Sequence, residues 1–293
     1  MIAVFPNFPL RPAEVEVDFA EERSAALAAG FDVRLYSHEA VVAGDLARAV
    51  GACPPVDGGV AAVLRGWMLT DAQYGRLFAA LADRGYRLVN DPDAYAEAHY
   101  LPRAYPKLAG ETPESVWTDR PDVDEAWRLY QSLRGGDVVL KDHVKSAKHR
   151  WLEACFIPAG TDRARFDRIL AAFVAERDRL FEKGFVLRRY VPLVTAGRDM
   201  RGHPAADEVR LFYADGELLV APVAGQGPPV GRMERFGEIA RSFRSRFMSV
   251  DVARTEAGDW VVIEVGDGGV SGLPVSMDYD AFFRALLGRL SAD

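Results

Sequence analysis

Cysteine is scarce: 293 residues hold only Cys53 and Cys155. Two thiols cannot build a disulfide framework or a four-cysteine zinc site, which fits a reducing compartment. A basic excess is absent as well, since 36 Lys+Arg stand against 43 Asp+Glu for a formal charge of −7. Any contact with phosphate or nucleic acid must therefore use a local cluster. No apolar run approaches the ~20 residues needed to cross a bilayer. The opening MIAVFPNFPLRP has no basic leader and meets Pro6 and Pro9 before an apolar core can form. A cytoplasmic protein with no membrane partner is the expectation.

Familiar catalytic signatures are missing too. There is no GxxxxGK followed by Ser or Thr, no strand–GxGxxG–helix unit, no GxSxG elbow and no HExxH. His38, His99, His143, His149 and His203 show no metal-clamp spacing, and neither cysteine has a neighbouring histidine. Lys141 is followed by Asp-His, which does not meet the lysyl-nucleotide motif of polynucleotide ligases. These absences exclude a P-loop kinase, a zinc hydrolase and a thiol enzyme.

What is there alternates between periods. Ile2–Phe5, Phe31–Tyr36, Val60–Leu64 and Tyr86–Val89 read as strands. Val17–Ala29, stopped by Gly30, and a segment capped by Thr70 read as helices between them. Strands alternating with helices imply an α/β layer with a largely parallel sheet. Four prolines in Pro92–Pro113 suggest a crossing between domains. Beyond it the sequence predicts a helix over Val123–Leu133, a strand Asp137–Leu140 and a long helix spanning Arg163–Lys183 that ends at Gly184. Strands follow at Phe185–Tyr190, Val209–Tyr213, Glu217–Val223, Met248–Arg254 and Trp260–Val265, with a hairpin turn at Asp215-Gly216 and a last helix Tyr279–Leu290.

Two constellations carry chemistry. In VVLKDHVKSAKHR, Lys141, Lys145, Lys148 and Arg150 fall within ten residues directly after an apolar strand. A lysine at a strand end is costly unless it meets an anion, and phosphate oxygens would neutralise such a cluster; a solvated surface loop would look the same. In MSVDVAR…DWVVIEVGDGG, Asp251 and Glu264 occupy corresponding places in a hairpin and Asp267 lies just beyond. Each carboxylate singly suits an exposed strand position. Together they offer hard oxygen ligands for Mg²⁺, which leaves its other positions to phosphates and water.

The order of these segments resembles the ATP-grasp superfamily, and within it a bacterial clade marked by one Arg and two Lys. The likeness runs through RGWML (Arg65–Leu69), LVNDPDAY (Leu88–Tyr95), VVLK, FVLRRYVPL, EVRLFYADGELL and MSVDVAR…DWVVIEVGDGGVSGLP. It implies a mixed α/β (α+β) ATP-grasp fold: a pre-ATP-grasp α/β domain over 1–110 and an ATP-grasp domain over 111–293, with the lid about 135–184 and the catalytic part about 185–293. The resemblance puts Lys141 on the ATP phosphates, Lys145 or Lys148 as a second contact, and Arg188-Arg189-Tyr190-Val191 at the adenine hinge. Arg210 matches the arginine near the γ-phosphate, and Asp251, Glu264 and Asp267 match the Mg²⁺ ligands, Asp267 standing where most of the superfamily has Asn. The usual Gly-rich lid loop is replaced here by the Lys/His segment.

Such enzymes use ATP and Mg²⁺ to activate a carboxylate as an acyl phosphate, which an amine or other nucleophile attacks. The implied partners are small-molecule or peptide carboxylates and amines, met by a monomer or homodimer. Two other classes stay open. FVLRRYVPL and EVRLFYADGELL are also similar to an assembly chaperone of the cell division cycle 123 type, and the basic segment would suit phosphoryl or nucleotidyl transfer to RNA.

Overall fold

The computed structural model describes residues 1–133, 135–198, 204–223 and 225–291. The chain forms two compact units. Unit 1 comprises Met1–His99, Glu208–Val252 and Glu264–Asp293; unit 2 comprises Tyr100–Asp207 and Ala253–Ile263. The units thus do not follow the chain order that the sequence suggests: the N-terminal α/β segment shares its unit with most of the C-terminal catalytic part. No described helix is long and apolar enough to cross a membrane.

In unit 1 the strand Ile2–Phe8 lies between Asp32–Tyr36 and Val60–Leu64, parallel to both, and Tyr86–Leu88 continues the parallel order. Arg11–Val15 turns back antiparallel on Ile2–Phe8. Side chains alternate across a strand, so Ile2 and Val4 pack on one face with Tyr74, Leu77 and Leu81. Ala3 and Phe5 pack on the other with Phe212, Phe247, Phe282 and Phe283. The helix Asp71–Ala82 begins with a capping box in which Thr70 and Gln73 satisfy each other's backbone N–H groups. A second sheet has the order Glu217–Leu218, Glu208–Ala214, Phe247–Arg254, Trp260–Asp267. Its Asp215-Gly216 turn takes positive φ at both residues, 48° and 76°, the requirement of a two-residue hairpin.

Unit 2 is built on an antiparallel sheet, Ser115–Trp117, Phe185–Arg189, Val138–Asp142, Phe156–Ile157. The helices Val123–Ser132 and Arg163–Arg177 cover it through Ala126, Phe166, Leu170 and Phe173.

Several elements differ from expectation. The long helix stops at Arg177, not Lys183, and a 3₁₀ turn Asp178–Leu180 follows. The helical backbone breaks at Asp178, which takes a φ of +44°, while Arg177 donates Nη2–H to the Leu180 carbonyl and Nε–H to Asp142, both at 2.8 Å. The proline-rich crossing holds two helices, Pro92–His99 and Leu101–Leu108. Pro92 stands at the first helical position, where its missing N–H costs nothing. The strand expected over Glu217–Val223 covers only Glu217–Leu218, and the unanticipated helix Val230–Ser242 buries Phe236, Ile239 and Ala240 at helical spacing.

Candidate active site

The charged face of unit 1 grows out of an apolar one. Phe212 and Phe247 pack with ring centroids 6.2 Å apart on neighbouring strands. Two residues back from Phe212 on the same side is Arg210, and four residues on from Phe247 is Asp251. They form a two-point ion pair: Arg210 Nε–H donates to Asp251 Oδ1 and Nη2–H to Oδ2, both at 2.7 Å. Arg210 Nη1–H also donates to the Gly272 carbonyl at 3.0 Å.

Glu264 joins this face. On the adjacent strand Gly268 packs on the Phe247 ring, and a Cβ on Gly266 would lie 3.2 Å from Ser249 Oγ. The same alternation brings Glu264 beside Asp251. The Asp251 carboxylate first, and then the charges of Glu264 and Glu208, push the Arg210 pKa above its ordinary value.

Asp267 is elsewhere. It stands three residues on from Glu264, an odd number, and in a strand that reverses the face. Its Oδ2 accepts from Asn90 Nδ2 at 2.6 Å and its Oδ1 from the Gly269 N–H at 2.7 Å. Burial raises its pKa to about 6, against the hydrogen bonds from Asn90 and Gly269. The expected convergence of Asp251, Glu264 and Asp267 is therefore replaced by a pair, Asp251 with Glu264, and a separately buried Asp267. Among the described residues no three His, Cys, Asp or Glu side chains come together as a metal cluster.

Asn90, to which sequence reasoning assigns no role, is the hub on that opposite face. Its Nδ2 also donates to the Phe247 carbonyl, while its Oδ1 accepts from the N–H groups of Arg246 and Phe247. A buried side chain with both amide ends used fixes the strand start.

In unit 2 Lys141 is buried to 7% exposure on the strand Val138–Asp142, opposite Val186. Lys145 is half-buried and Lys148 exposed. The Cys155 thiol, pushed up to about 11 by burial, feels the opposing pull of both Lys148 and Lys141, so these two ammonium groups share a neighbourhood. The turn between them is organised by Asp142, fully buried. Its Oδ1 accepts from the N–H groups of Val144 and Lys145 at 2.7 and 2.6 Å, and its Oδ2 from Arg177 Nε and the Glu182 N–H. An Asp that accepts from the backbone two and three residues on is a recurrent turn device, and Lys-Asp-His carries that signal. His143 meets the Thr118 carbonyl through Nε2 at 2.8 Å; burial lowers its pKa, against that hydrogen bond and the nearby Asp142 charge.

Further along the basic segment, His149 and Arg150 pair with Glu176, and Arg150 also with Glu153. Of the hinge residues, Arg188 is buried, with its guanidinium donating to the carbonyls of Val262 and Ile263 and to the Thr112 hydroxyl. Arg189 donates to Glu114 and to the Leu133 and Gly135 carbonyls. Tyr190 packs edge-on against Trp151 and Phe156, and Val191 is half-buried. His203 lies outside the described residues.

An ATP-grasp domain model, family 3 of the clade marked by one Arg and two Lys, matches residues 132–286. The chain belongs to that family. No curated protein matches the sequence. Among solved structures, the RimK domain ATP-grasp protein from Sphaerobacter thermophilus DSM 20745 is 18% identical over 97% of each chain, with a TM-score of 0.60. D-cycloserine synthetase DcsG is 16% identical over 99% of this chain and 100% of its own, TM-score 0.60. The ATP-grasp ligase PsnB, solved with a minimal precursor, Mg and ADP, is 14% identical over 99% and 98%, TM-score 0.55. Likeness at these identities shows the ATP-grasp fold, along nearly the whole chain.

Proposed function

We propose that the protein is an ATP- and Mg²⁺-dependent ligase that activates a carboxylate as an acyl phosphate and joins it to an amine. The observation that carries this is the Arg210–Asp251–Glu264 face, inside the segment matched to an ATP-grasp domain. Mg²⁺ is held by one or two carboxylates and completes its shell with phosphate oxygens and water, so Asp251 and Glu264 form a fitting donor set. Each Asp251 oxygen accepts one Arg210 N–H, which leaves each a further lone pair for a cation. Bound there, Mg²⁺ would neutralise charge on the phosphate oxygens.

The remaining roles belong to the chain's own residues. Arg210 faces the transferring γ-phosphoryl group and then the acyl phosphate. Lys141 meets the nucleotide phosphates as a compact ammonium, with Lys145 or Lys148 as the second contact. The backbone at Tyr190 and Val191 reads the adenine, while the Arg188 and Arg189 side chains hold that hinge in place. Positioning and fixed charge of this kind supply most of the acceleration in phosphoryl transfer. The substrates are a small-molecule or peptide carboxylate and an amine; PsnB, solved also with a precursor peptide, supports including peptides. The enzyme works in the cytoplasm as a monomer or homodimer.

Hydroxylamine trapping tests the proposal. With ATP, Mg²⁺ and a panel of small and peptide carboxylates, the expected result is hydroxamate formation matched by release of ADP and phosphate. ATP binding without carboxylate-dependent ADP release or hydroxamate across the panel would overturn the ligase reading in favour of an ATP-binding assembly factor.

A further inference from the structure

Arg65 is wholly buried at the end of the central parallel sheet of unit 1. Its Nε–H and Nη2–H donate to Glu22 Oε2 and Oε1 at 2.7 and 2.9 Å. Its Nη1 donates to two backbone carbonyls, those of Gly268 and Ser271, the latter at 3.0 Å. For stability alone this is a poor use of a buried site, because desolvation offsets most of the attraction and a well-packed apolar pair often does as well. An apolar pair cannot, however, grip two carbonyls three residues apart. The planar guanidinium fork can.

The gripped loop follows directly on the Glu264 strand. The Gly66 N–H donates to the Gly269 carbonyl at 2.9 Å. Ser271 Oγ lies 2.7 Å from Ser249 Oγ and 2.9 Å from the Asp267 carbonyl. A Cβ on Gly266 would come within 2.8 Å of the same Ser271 Oγ. At the far end of the loop, the Gly272 carbonyl accepts from Arg210, whose other nitrogens hold Asp251. Two arginines thus hold one five-residue loop, Arg65 from the sheet side and Arg210 from the carboxylate side.

We propose that Arg65, fixed by Glu22, is a positioning residue for the metal-binding carboxylates: it sets the 268–272 loop, and through Gly272–Arg210 and Ser271–Ser249 the placement of Asp251 and Glu264. This rests on the Mg²⁺ role given to those two carboxylates.

The test titrates Mn²⁺ in the presence of AMPPNP, following free Mn²⁺ by electron paramagnetic resonance, with thermal melts alongside. Arg65→Met alone leaves Glu22 buried and unpaired, so the informative variant is Glu22→Leu/Arg65→Met, which removes both charges. It is expected to melt near the wild type while its Mn²⁺ dissociation constant rises by about 10-fold or more, the usual result of losing an outer-shell support. Arg65→Lys is the second variant, since it keeps a cation for Glu22 but lacks the fork for both carbonyls; the same rise is expected. Wild-type Mn²⁺ affinity in whichever of the two folds would overturn the proposal. No Mn²⁺ binding by the wild type would instead overturn the metal role of Asp251 and Glu264, and the proposal with it.

Discussion

Arg210 and Asp251 face each other across neighbouring strands with both oxygens of the carboxylate matched to separate nitrogens of the guanidinium at 2.7 Å. The carboxylate is nearly buried and the guanidinium a third open, at 6% and 31% exposure. A planar pair of this kind fixes orientation as well as charge.

Arg210→Lys therefore separates fork geometry from charge. The ammonium can satisfy one Asp251 oxygen but not both plus the Gly272 carbonyl. Loss of one charge-assisted hydrogen bond should lower stability by about 1.5–3 kcal/mol, with turnover falling further than stability alone explains. Urea unfolding and ADP release measure the two. Wild-type stability in the variant would mean that Asp251 is held by something other than the fork.

Glu264→Gln and Asp267→Asn should part company, although the two residues are three apart. Glu264→Gln keeps shape and removes a charge from the Arg210 face, so turnover and Mg²⁺ dependence should collapse with little change in melting temperature. Asp267→Asn acts on the Asn90 side of the sheet, where an amide opposite an amide loses an acceptor; its cost should be about 1–3 kcal/mol of stability, with Mg²⁺ dependence unchanged. Equal effects on Mg²⁺ dependence would put both carboxylates back in one metal site.

Asp267 also predicts a pH signature. Its folded pKa, about 6, lies above the ordinary value of 3.8 because burial disfavours the charged form. A carboxyl whose pKa is raised by folding contributes stability that is complete below about pH 3.8 and lost as pH rises through about 6. The difference of roughly two units corresponds to about 3 kcal/mol. Between pH ~4 and pH ~7 the wild type should thus lose about that much stability relative to Asp267→Asn, which does not titrate. Parallel stability curves for the two proteins would show that Asp267 ionises as an ordinary carboxylate.

Much of the fold and part of the site are legible in the sequence, and the failures have physical causes. The parallel strands, the Thr70 cap, the Asp215-Gly216 hairpin and the final helix all rest on local chemistry that leaves a local trace. Asp251 and Glu264 stand out because a charge inside a Val/Ile strand is conspicuous. Asp267 is misplaced when carboxylates near a strand end are counted without regard to parity, since a difference of three in a two-residue period decides the face. The family resemblance alone suggests a hinge role for Arg188, and sequence carries no sign that its guanidinium turns inward onto the Val262 and Ile263 carbonyls some seventy residues away. Asn90, Glu22 and Arg65 gain a role only from the fold, for the same reason: their partners are tertiary. The helices Pro92–His99 and Leu101–Leu108 are hidden by their prolines: Pro92 and Pro102 are harmless at a helix start, but Pro106 lies inside the second helix, where sequence alone argues against one.

The basic segment gives the sharpest separation of a phosphate site from a solvated surface. Lys141 is buried at the end of an apolar strand, Lys145 half-buried, and Lys148 exposed on a 3₁₀ turn. If Lys141 meets nucleotide phosphate, Lys141→Ala should weaken ATP binding by about 1.5–3 kcal/mol, the value of a desolvated charge-assisted contact. Lys148→Ala should cost about 0–1 kcal/mol if its ammonium stays in water, and more only if a bound nucleotide covers it. Lys145→Ala should fall between them. Lys141→Arg should not restore affinity, because a planar fork cannot take the place of a compact ammonium at a buried strand position. Nucleotide titration at fixed Mg²⁺ and two salt concentrations checks the series, since exposed cations lose their effect as salt rises while a buried one keeps most of it. Three variants that bind ATP like the wild type, but lose a salt-sensitive affinity for RNA, would turn Lys141–Arg150 into a polyanion surface and move RNA to first place among the substrates.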